Sequence, residues 1–222
     1  MFRDLFHSGG RLKAFLLLSC LFFCLLYGVL IPSIVFAAED KDDKNLPFDV
    51  RIIVDISGSM KQTDPNNLRI PALNLLLELM PEGTQAGIWT FGQYVNNIVP
   101  VAVVDDKWRA QAKQSALKIT SLGLKTNLAG VLNDAAWGLK ADSGFQQSII
   151  LLTDGKVDMA GNNTAAAEKV NTLERQKLMT QVLDKYRASG ANIHTLALSD
   201  VADKNLLQQI AIETDGLYSQ AE

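Results

Sequence analysis

Asp55, Ser57 and Ser59 put three oxygen-bearing side chains at alternate positions of the stretch VDISGSM, residues 54–60, with Gly58 between the two serines. They follow directly on an apolar, strand-like run, Ile52-Ile53-Val54. Two readings fit these residue types. Asp, Ser and Gly are ordinary turn residues between apolar runs. The same side chains also form half of an oxygen-lined site for a hard divalent cation. Two further segments bear on the choice. Thr126 stands in GLKTNLAGVL, residues 123–132, just ahead of a helical pattern, where its plain role is an N-cap. Asp154-Gly155 follows the apolar run Ile149-Ile150-Leu151-Leu152-Thr153, where its plain role is a tight turn. Each plain role suffices alone. Together they explain less, because all three segments fall at one edge of the fold that the rest of the pattern predicts.

That fold follows from alternating periods along the chain. Val50–Val54 reads as a buried strand, and Leu68–Met80 as a helix with a broad apolar face, ended by Pro81 and Gly83. Thr84–Phe91 and Asn97–Val104 read as strands joined by a Gly92-Gln93-Tyr94 turn, hence antiparallel. Helices are expected over Lys107–Ile119 and Asn127–Lys140, then a nearly all-apolar strand over Ser148–Thr153. A long helix over Thr164–Ala188, a strand over Asn192–Leu198, a helix over Lys204–Thr214 and a short strand over Leu217–Ser219 complete the series. Strands that alternate with helices and are apolar on both faces imply an α/β, doubly wound sheet with helices on both sides. It is mostly parallel, with one antiparallel edge strand. Sites in such sheets form beyond the carboxyl ends of strands, where strand order reverses. Asp55 and Asp154 both stand directly after strands. If those strands are neighbours, the two carboxylates converge.

The N-terminal region reads as an address rather than part of this fold. Arg3, Arg11 and Lys13 precede Ala14–Phe36, 23 residues without a charge, and Val35-Phe36-Ala37 offers a cleavage site. Residues 1–37 are therefore expected to be a signal peptide or a retained N-terminal membrane anchor. As a helix, 23 residues would reach about 34 Å, enough to span a bilayer. Either way the positive flank stays inside and the remainder is exported, to a periplasmic, cell-envelope or extracellular location. Residues 38–46 form a charged linker (EDKDDK within it), and residues 47–222 the domain. Cys20 and Cys24 both lie in the apolar stretch, so an ordinary core rather than disulfides must hold the exported part. The whole chain carries a formal net charge of −3. Setting aside residues 1–37, with Arg3, Arg11, Lys13 and Asp4, leaves −5. With no basic cluster interleaved with aromatics, nucleic acid is not an expected partner. His194 is the sole histidine beyond the N-terminal segment, which leaves little for a histidine metal site or a Ser-His-Asp hydrolase. Trp89, Trp108 and Trp137 are expected in the core or half-buried.

Asp55-x-Ser57-x-Ser59, then Thr126, then Asp154-Gly155 resemble the metal-ion-dependent adhesion site (MIDAS) of the von Willebrand factor type A (vWA) domain family. Thr90-Phe91-Gly92 and the stretch from Ala211 to Gly216-Leu217-Tyr218 add weaker likeness. The resemblance spans about residues 47–222 and implies the Rossmann-like vWA fold. It implies that Ser57 and Ser59 give hydroxyl oxygens to Mg²⁺ or Mn²⁺, and that Thr126 binds directly or through water. Asp55 and Asp154 would balance charge and hold coordinated waters. It further implies a non-enzymatic module whose protein partner supplies an Asp or Glu carboxylate to the metal. The family often has glycine just before the threonine, whereas here Lys125 intervenes and Gly123 lies two positions earlier. The family also usually adds a last helix after the final strand, for which residues 47–222 leave no room. Two other readings stay open at this point. One is a metal-dependent phosphatase or phosphotransfer enzyme using Asp55, although Ser57 is a poor general acid–base at the position where a second acid would be expected. The other is a domain whose metal is only structural.

Overall fold

The computed structural model describes residues 46–154, 156–160 and 164–221. The chain divides into two units, Met1–Lys44 and Asn45–Glu222, and only the second is described. The expected signal or anchor, and nearly all of the linker, lie outside the described residues. Among those described, no helix is long and apolar enough to cross a membrane.

Six strands form one sheet: β1 (Phe48–Asp55), β2 (Gln85–Phe91), β3 (Val95–Val103), β4 (Gln146–Thr153), β5 (Asn192–Ala197) and β6 (Tyr218–Gln220), in the order β3-β2-β1-β4-β5-β6. All neighbours are parallel except β2 and β3, which are antiparallel. This is the expected doubly wound α/β sheet with one antiparallel edge strand. From β1 the chain winds outward through β2 to β3, and from β4 it winds the other way. Strand order therefore reverses between β1 and β4, which pair directly, Val54 opposite Leu152.

Because side chains alternate across a strand, β1 feeds two cores. Ile52 and Val54 pack with Leu73, Leu77, Ile88, Val99 and Trp108, beneath α2 (Arg69–Leu79) and α3 (Asp106–Ala116). Ile53 packs on the opposite face with Trp89, Phe91, Leu132, Leu151, Tyr186 and Leu206. That face is covered by α4 (Leu128–Ala135), α6 (Leu183–Ser189) and α7 (Lys204–Ile212), with α5 (Ala165–Lys177) leading into α6. A single π-helical turn, Leu178–Val182, joins α5 to α6, so the expected long helix is present with one widened turn. Tyr186, fully buried, donates from its hydroxyl to the Leu132 carbonyl at 2.6 Å and so ties α6 to α4.

Three expectations change. The helix expected to Lys140 ends at Ala135, because the buried Arg51 guanidinium, paired with Asp49, draws the Ala135 and Trp137 carbonyls to itself and Gly138 turns the chain at φ 77°. Trp137 is thereby turned outward and is 87% exposed, unlike Trp89 and Trp108, which are buried as expected. The apolar face of α2 is also only half used. Leu73 and Leu77 are buried, while Leu75 and Leu79 face outward on the opposite side of the helix.

Arg69, at the start of α2, is nearly wholly buried yet charged. It pairs with Asp64 at 3.0 Å and donates to Ser121 Oγ at 2.6 Å and Asn67 Oδ1 at 2.9 Å. This joins the segment after α1 (Met60–Thr63) to the α3–α4 loop, both at the carboxyl edge of the sheet. Arg69→Met would strand the buried Asp64 carboxylate. It is expected to cost about 3–5 kcal/mol in urea unfolding, the range for breaking one side of a buried pair.

Candidate metal centre

Asp55 ends β1 and is wholly buried. Its Oδ1 accepts from the Ser57 backbone N–H at 2.7 Å, and its Oδ2 accepts from the Thr153 hydroxyl at 2.6 Å. The second bond follows from parity. Asp55 and Thr153 occupy the same sheet face as Ile53 and Leu151, on adjacent parallel strands. The first bond is an Asx-type turn that folds the chain back and brings Ser57 over the strand end. Ser57 Oγ and Ser59 Oγ then share a hydrogen bond at 3.0 Å. Ser57 is buried and Ser59 is exposed, so the cluster opens to solvent on the Ser59 side. Asp154, one residue past β4, is 2% exposed. Its Oδ2 receives a long contact from the Thr63 hydroxyl at 3.5 Å, and its Oδ1 is buried with no hydrogen-bond partner.

Two hydroxyls with an ordinary structural use available are left free of it. Ser59 is the N-cap residue of α1 but makes no side-chain cap bond. Thr126 is not the N-cap of α4. Asn127 caps that helix, accepting from the Gly130 N–H at 2.9 Å, while Thr126 is buried and fixed through its backbone. The Thr126 N–H donates to the Asp158 carbonyl at 2.7 Å, and the Asp158 N–H returns a longer bond at 3.4 Å. Asp158 thus belongs to the wall of the site through its backbone, while Lys156 is exposed. His194 is half-buried in β5, where Nδ1 accepts from the Leu217 N–H at 3.2 Å, away from this cluster.

The loops carrying these residues are stitched backbone to backbone. The Ile56 N–H donates to the Phe91 carbonyl at 2.8 Å, the Gly123 N–H to the Ile56 carbonyl at 2.9 Å, and the Asn127 N–H to the Gly92 carbonyl at 2.9 Å. Glycine is required at the crossing. A Cβ on Gly123 would lie 2.9 Å from the Ile56 oxygen and 3.0 Å from the Gly92 Cα. Glycine at 123 thus has a packing cause, and nothing in these contacts explains Lys125. Thr153, Thr63 and the Asp64–Arg69–Ser121 tie were missed from the sequence. The one available signal was a hydroxyl, Thr153, closing an otherwise apolar strand.

The donor set fits a hard divalent cation. Neighbouring oxygens of an octahedral Mg²⁺ shell at about 2.1 Å are about 3.0 Å apart, and the two serine oxygens already stand at 3.0 Å. Hydroxyls and carboxylates, with no sulfur or imidazole, suit Mg²⁺ or Mn²⁺. Among the described residues there is no group of three or more His, Cys, Asp or Glu that could hold a metal, so carboxylates alone do not build the site. The unpartnered Asp154 oxygen is what a cation or its waters would satisfy.

Comparison with known proteins agrees with this architecture. The sequence profile of the von Willebrand factor type A domain matches residues 49–222. The chain belongs to that family, whose fold serves protein interaction and adhesion and whose domains are generally non-enzymatic modules. No curated relative of significant similarity was found. Among solved structures, a von Willebrand factor type A protein from Catenulispora acidiphila superposes with a TM-score of 0.60 at 19% identity, over 79% of this chain and 39% of that one. The vWF domain of the type V pili tip protein Mfa5 from Porphyromonas gingivalis gives 0.58 at 14% identity, over 79% and 90%. Proximal thread matrix protein 1 from the mussel byssus, with a zinc-occupied MIDAS motif, gives 0.54 at 18% identity, over 79% and 44%. At these identities the likeness is one of fold. The chain spans about two fifths of the first and third of these structures.

Burial pushes the Asp55 carboxyl up to about 6, and the nearby Asp154 charge adds to this, while the bonds from Ser57 and Thr153 hold it down. The unfolded value is 3.8. Between these two values the folded state holds a proton that the unfolded state has lost, so stability falls as pH rises through the window. Metal-free protein is expected to lose up to roughly 3 kcal/mol from this group between pH 4 and pH 6. Thermal melts in EDTA across that range, with Asp55→Asn showing a flatter profile, check this.

Proposed function

We propose that this is an exported, envelope-associated vWA domain that captures a protein partner through a divalent metal, Mg²⁺ or Mn²⁺, at a MIDAS. Ser57, Ser59 and Thr126 would hold the ion, and Asp55 and Asp154 would balance its charge and orient its waters. The observation that carries this reading is the Ser57–Ser59 oxygen pair at 3.0 Å beside a buried Asp154 oxygen with no partner. A bound divalent ion would supply a Lewis-acidic position facing solvent for an Asp or Glu of the partner. The chain's own part is to offer the ion neutral hydroxyls as its direct oxygens. Its hydroxyls carry no charge, and both oxygens of Asp55 are engaged by Ser57 and Thr153 rather than turned outward. That engagement, with complete burial, also argues against Asp55 as a phosphoryl-accepting nucleophile and favours a non-enzymatic module. Solved neighbours support the assignment in kind, since one is a pilus-tip domain and another a byssal matrix protein with zinc in its MIDAS. Export rests on Arg3, Arg11 and Lys13 ahead of the uncharged run Ala14–Phe36.

Isothermal titration of the folded domain with MgCl₂ tests the metal. Wild type is expected to bind, and Asp154→Ala to lose binding while its circular dichroism spectrum is unchanged. Wild-type affinity in that variant would remove Asp154 from the site. Partner capture is expected to require metal and to fall in Ser57→Ala and Ser59→Ala by about 2–5 kcal/mol, the usual loss for a desolvated charged contact, or roughly 30- to 4,000-fold. Lys177→Ala, on α5 and facing solvent, is the control that should change nothing. For export, a reporter fused after Glu222 should be active only outside the cytosol.

A further inference from the structure

We infer that the surface beside the candidate metal centre reads a second feature of the partner, a large apolar side chain within about two residues of the acidic one. This rests on the metal reading above and adds a specificity to it. Tyr94, in the β2–β3 turn, is 71% exposed, and Leu122 and Leu124, in the α3–α4 loop, are 70% and 80% exposed. Together with Ile56 and the Gly92 and Gly123 backbones they border an open, mainly apolar cleft of about 270 Å³. Clefts that take small ligands run to about 300–1,000 Å³, so this one, near the lower end, has room for one large side chain. Scattered apolar residues on a surface need no explanation, but a contiguous group beside a polar site marks an interaction surface.

Position identifies the occupant. Ile56, which borders the cleft, lies between Asp55 and Ser57 in the chain. The Ser57 and Gly123 backbones form a parallel bridge, and Leu122 and Leu124 are the residues on either side of Gly123. The cleft and the serine oxygens are therefore separated by one residue of backbone. The glycine crossing fixes that spacing, since Gly92, Gly123 and the Ile56 carbonyl are at closest approach. Any chain that brings a carboxylate to Ser57 and Ser59 must leave the site across one of its walls, and this is an apolar wall directly beside Ser57. An extended segment advances about 3.3 Å per residue, so a neighbour one or two positions from the acid reaches the cleft. The other surroundings suit an acid. Lys61 and Lys156, near Ser59 and Asp154 in the chain, are exposed, and Lys125 adjoins Thr126. The fitting partner is thus an extended protein segment in which Asp or Glu stands next to, or one residue from, Leu, Ile, Met or Phe.

A peptide array tests this directly. Each member carries one Asp at its centre and every residue type in turn at the two positions on either side. It is probed with the folded domain in Mg²⁺ and in EDTA, using wild type, the triple variant Tyr94→Ser/Leu122→Ser/Leu124→Ser, and Asp154→Ala. All three triple-variant positions are largely exposed, so its fold is expected to survive, and circular dichroism checks that. The expected result is Mg²⁺-dependent capture enriched in peptides with a large apolar neighbour. Their signal should fall about tenfold or more in the triple variant, the loss expected for one uncovered apolar side chain, while Mg²⁺ binding by the same variant in titration stays at the wild-type value. Mg²⁺-dependent capture with no preference among neighbours, or a preference untouched by the triple variant, overturns the inference and leaves the metal reading standing. Capture that ignores EDTA and Asp154→Ala, or no capture at all, overturns both.

Discussion

A carboxylate with no exposure to water stands at the end of the central strand, and much of the carboxyl edge is arranged around it. Asp55 can remain there because donors come to both of its oxygens, the Ser57 N–H from its own chain and the Thr153 hydroxyl from the neighbouring strand. Those two bonds do more than solvate a charge. One bends the chain so that Ser57 and Ser59 turn over the strand end, and the other locks β1 to β4 where strand order reverses. They do not fully offset the desolvation, which is why the carboxyl remains displaced upward. The imbalance leaves an electrostatic demand that a cation would meet.

The loops around that point hold their shape through backbone contact rather than side-chain packing. Ile56 is hydrogen-bonded on one side to Phe91 and on the other to Gly123, and Gly92 reaches Asn127. Contacts of this kind allow no intervening side chain, and they set the separation between oxygen cluster and rim. Arg69 reinforces the arrangement from beneath by joining Asp64 to Ser121. A surface that must present several side chains to a partner in fixed relation gains from such rigidity, because less freedom is lost on binding.

The site is economical in its use of polar groups. Hydroxyls that local rules would assign to helix caps are spared, since Ser59 makes no cap bond and Asn127 replaces Thr126 in that role. A buried polar atom with no partner, such as Asp154 Oδ1, costs free energy in the metal-free fold. Such costs concentrate where function requires them.

The sequence by itself was enough for the order of strands and helices, the antiparallel turn at Gly92-Gln93-Tyr94, and the candidacy of Asp55, Ser57, Ser59, Thr126 and Asp154. The order and the turn rest on local signals, namely hydrophobic period and turn residues, which act over a few residues and can be read in one dimension, whereas the five candidates were joined into one site by their resemblance to the vWA family's MIDAS. What lay beyond it were the contacts that join distant segments. Asp64 and Asn67 lie within five residues of Arg69, but Ser121 is 52 residues away and reaches it only when two loops are brought to one edge, so the local sequence does not mark Arg69 as buried. The end of α4 was misplaced partly for the same reason. Gly138 was a local stop signal, but Arg51, 84 residues away from Ala135, also takes the Ala135 carbonyl that the next turn would have used. That reversal exposed Trp137. Thr153 shows the boundary between the two kinds of information. Its parity on β4 could be counted from the sequence, but that this parity faces Asp55 depends on β1 and β4 being neighbours, and only the assembled sheet decides that.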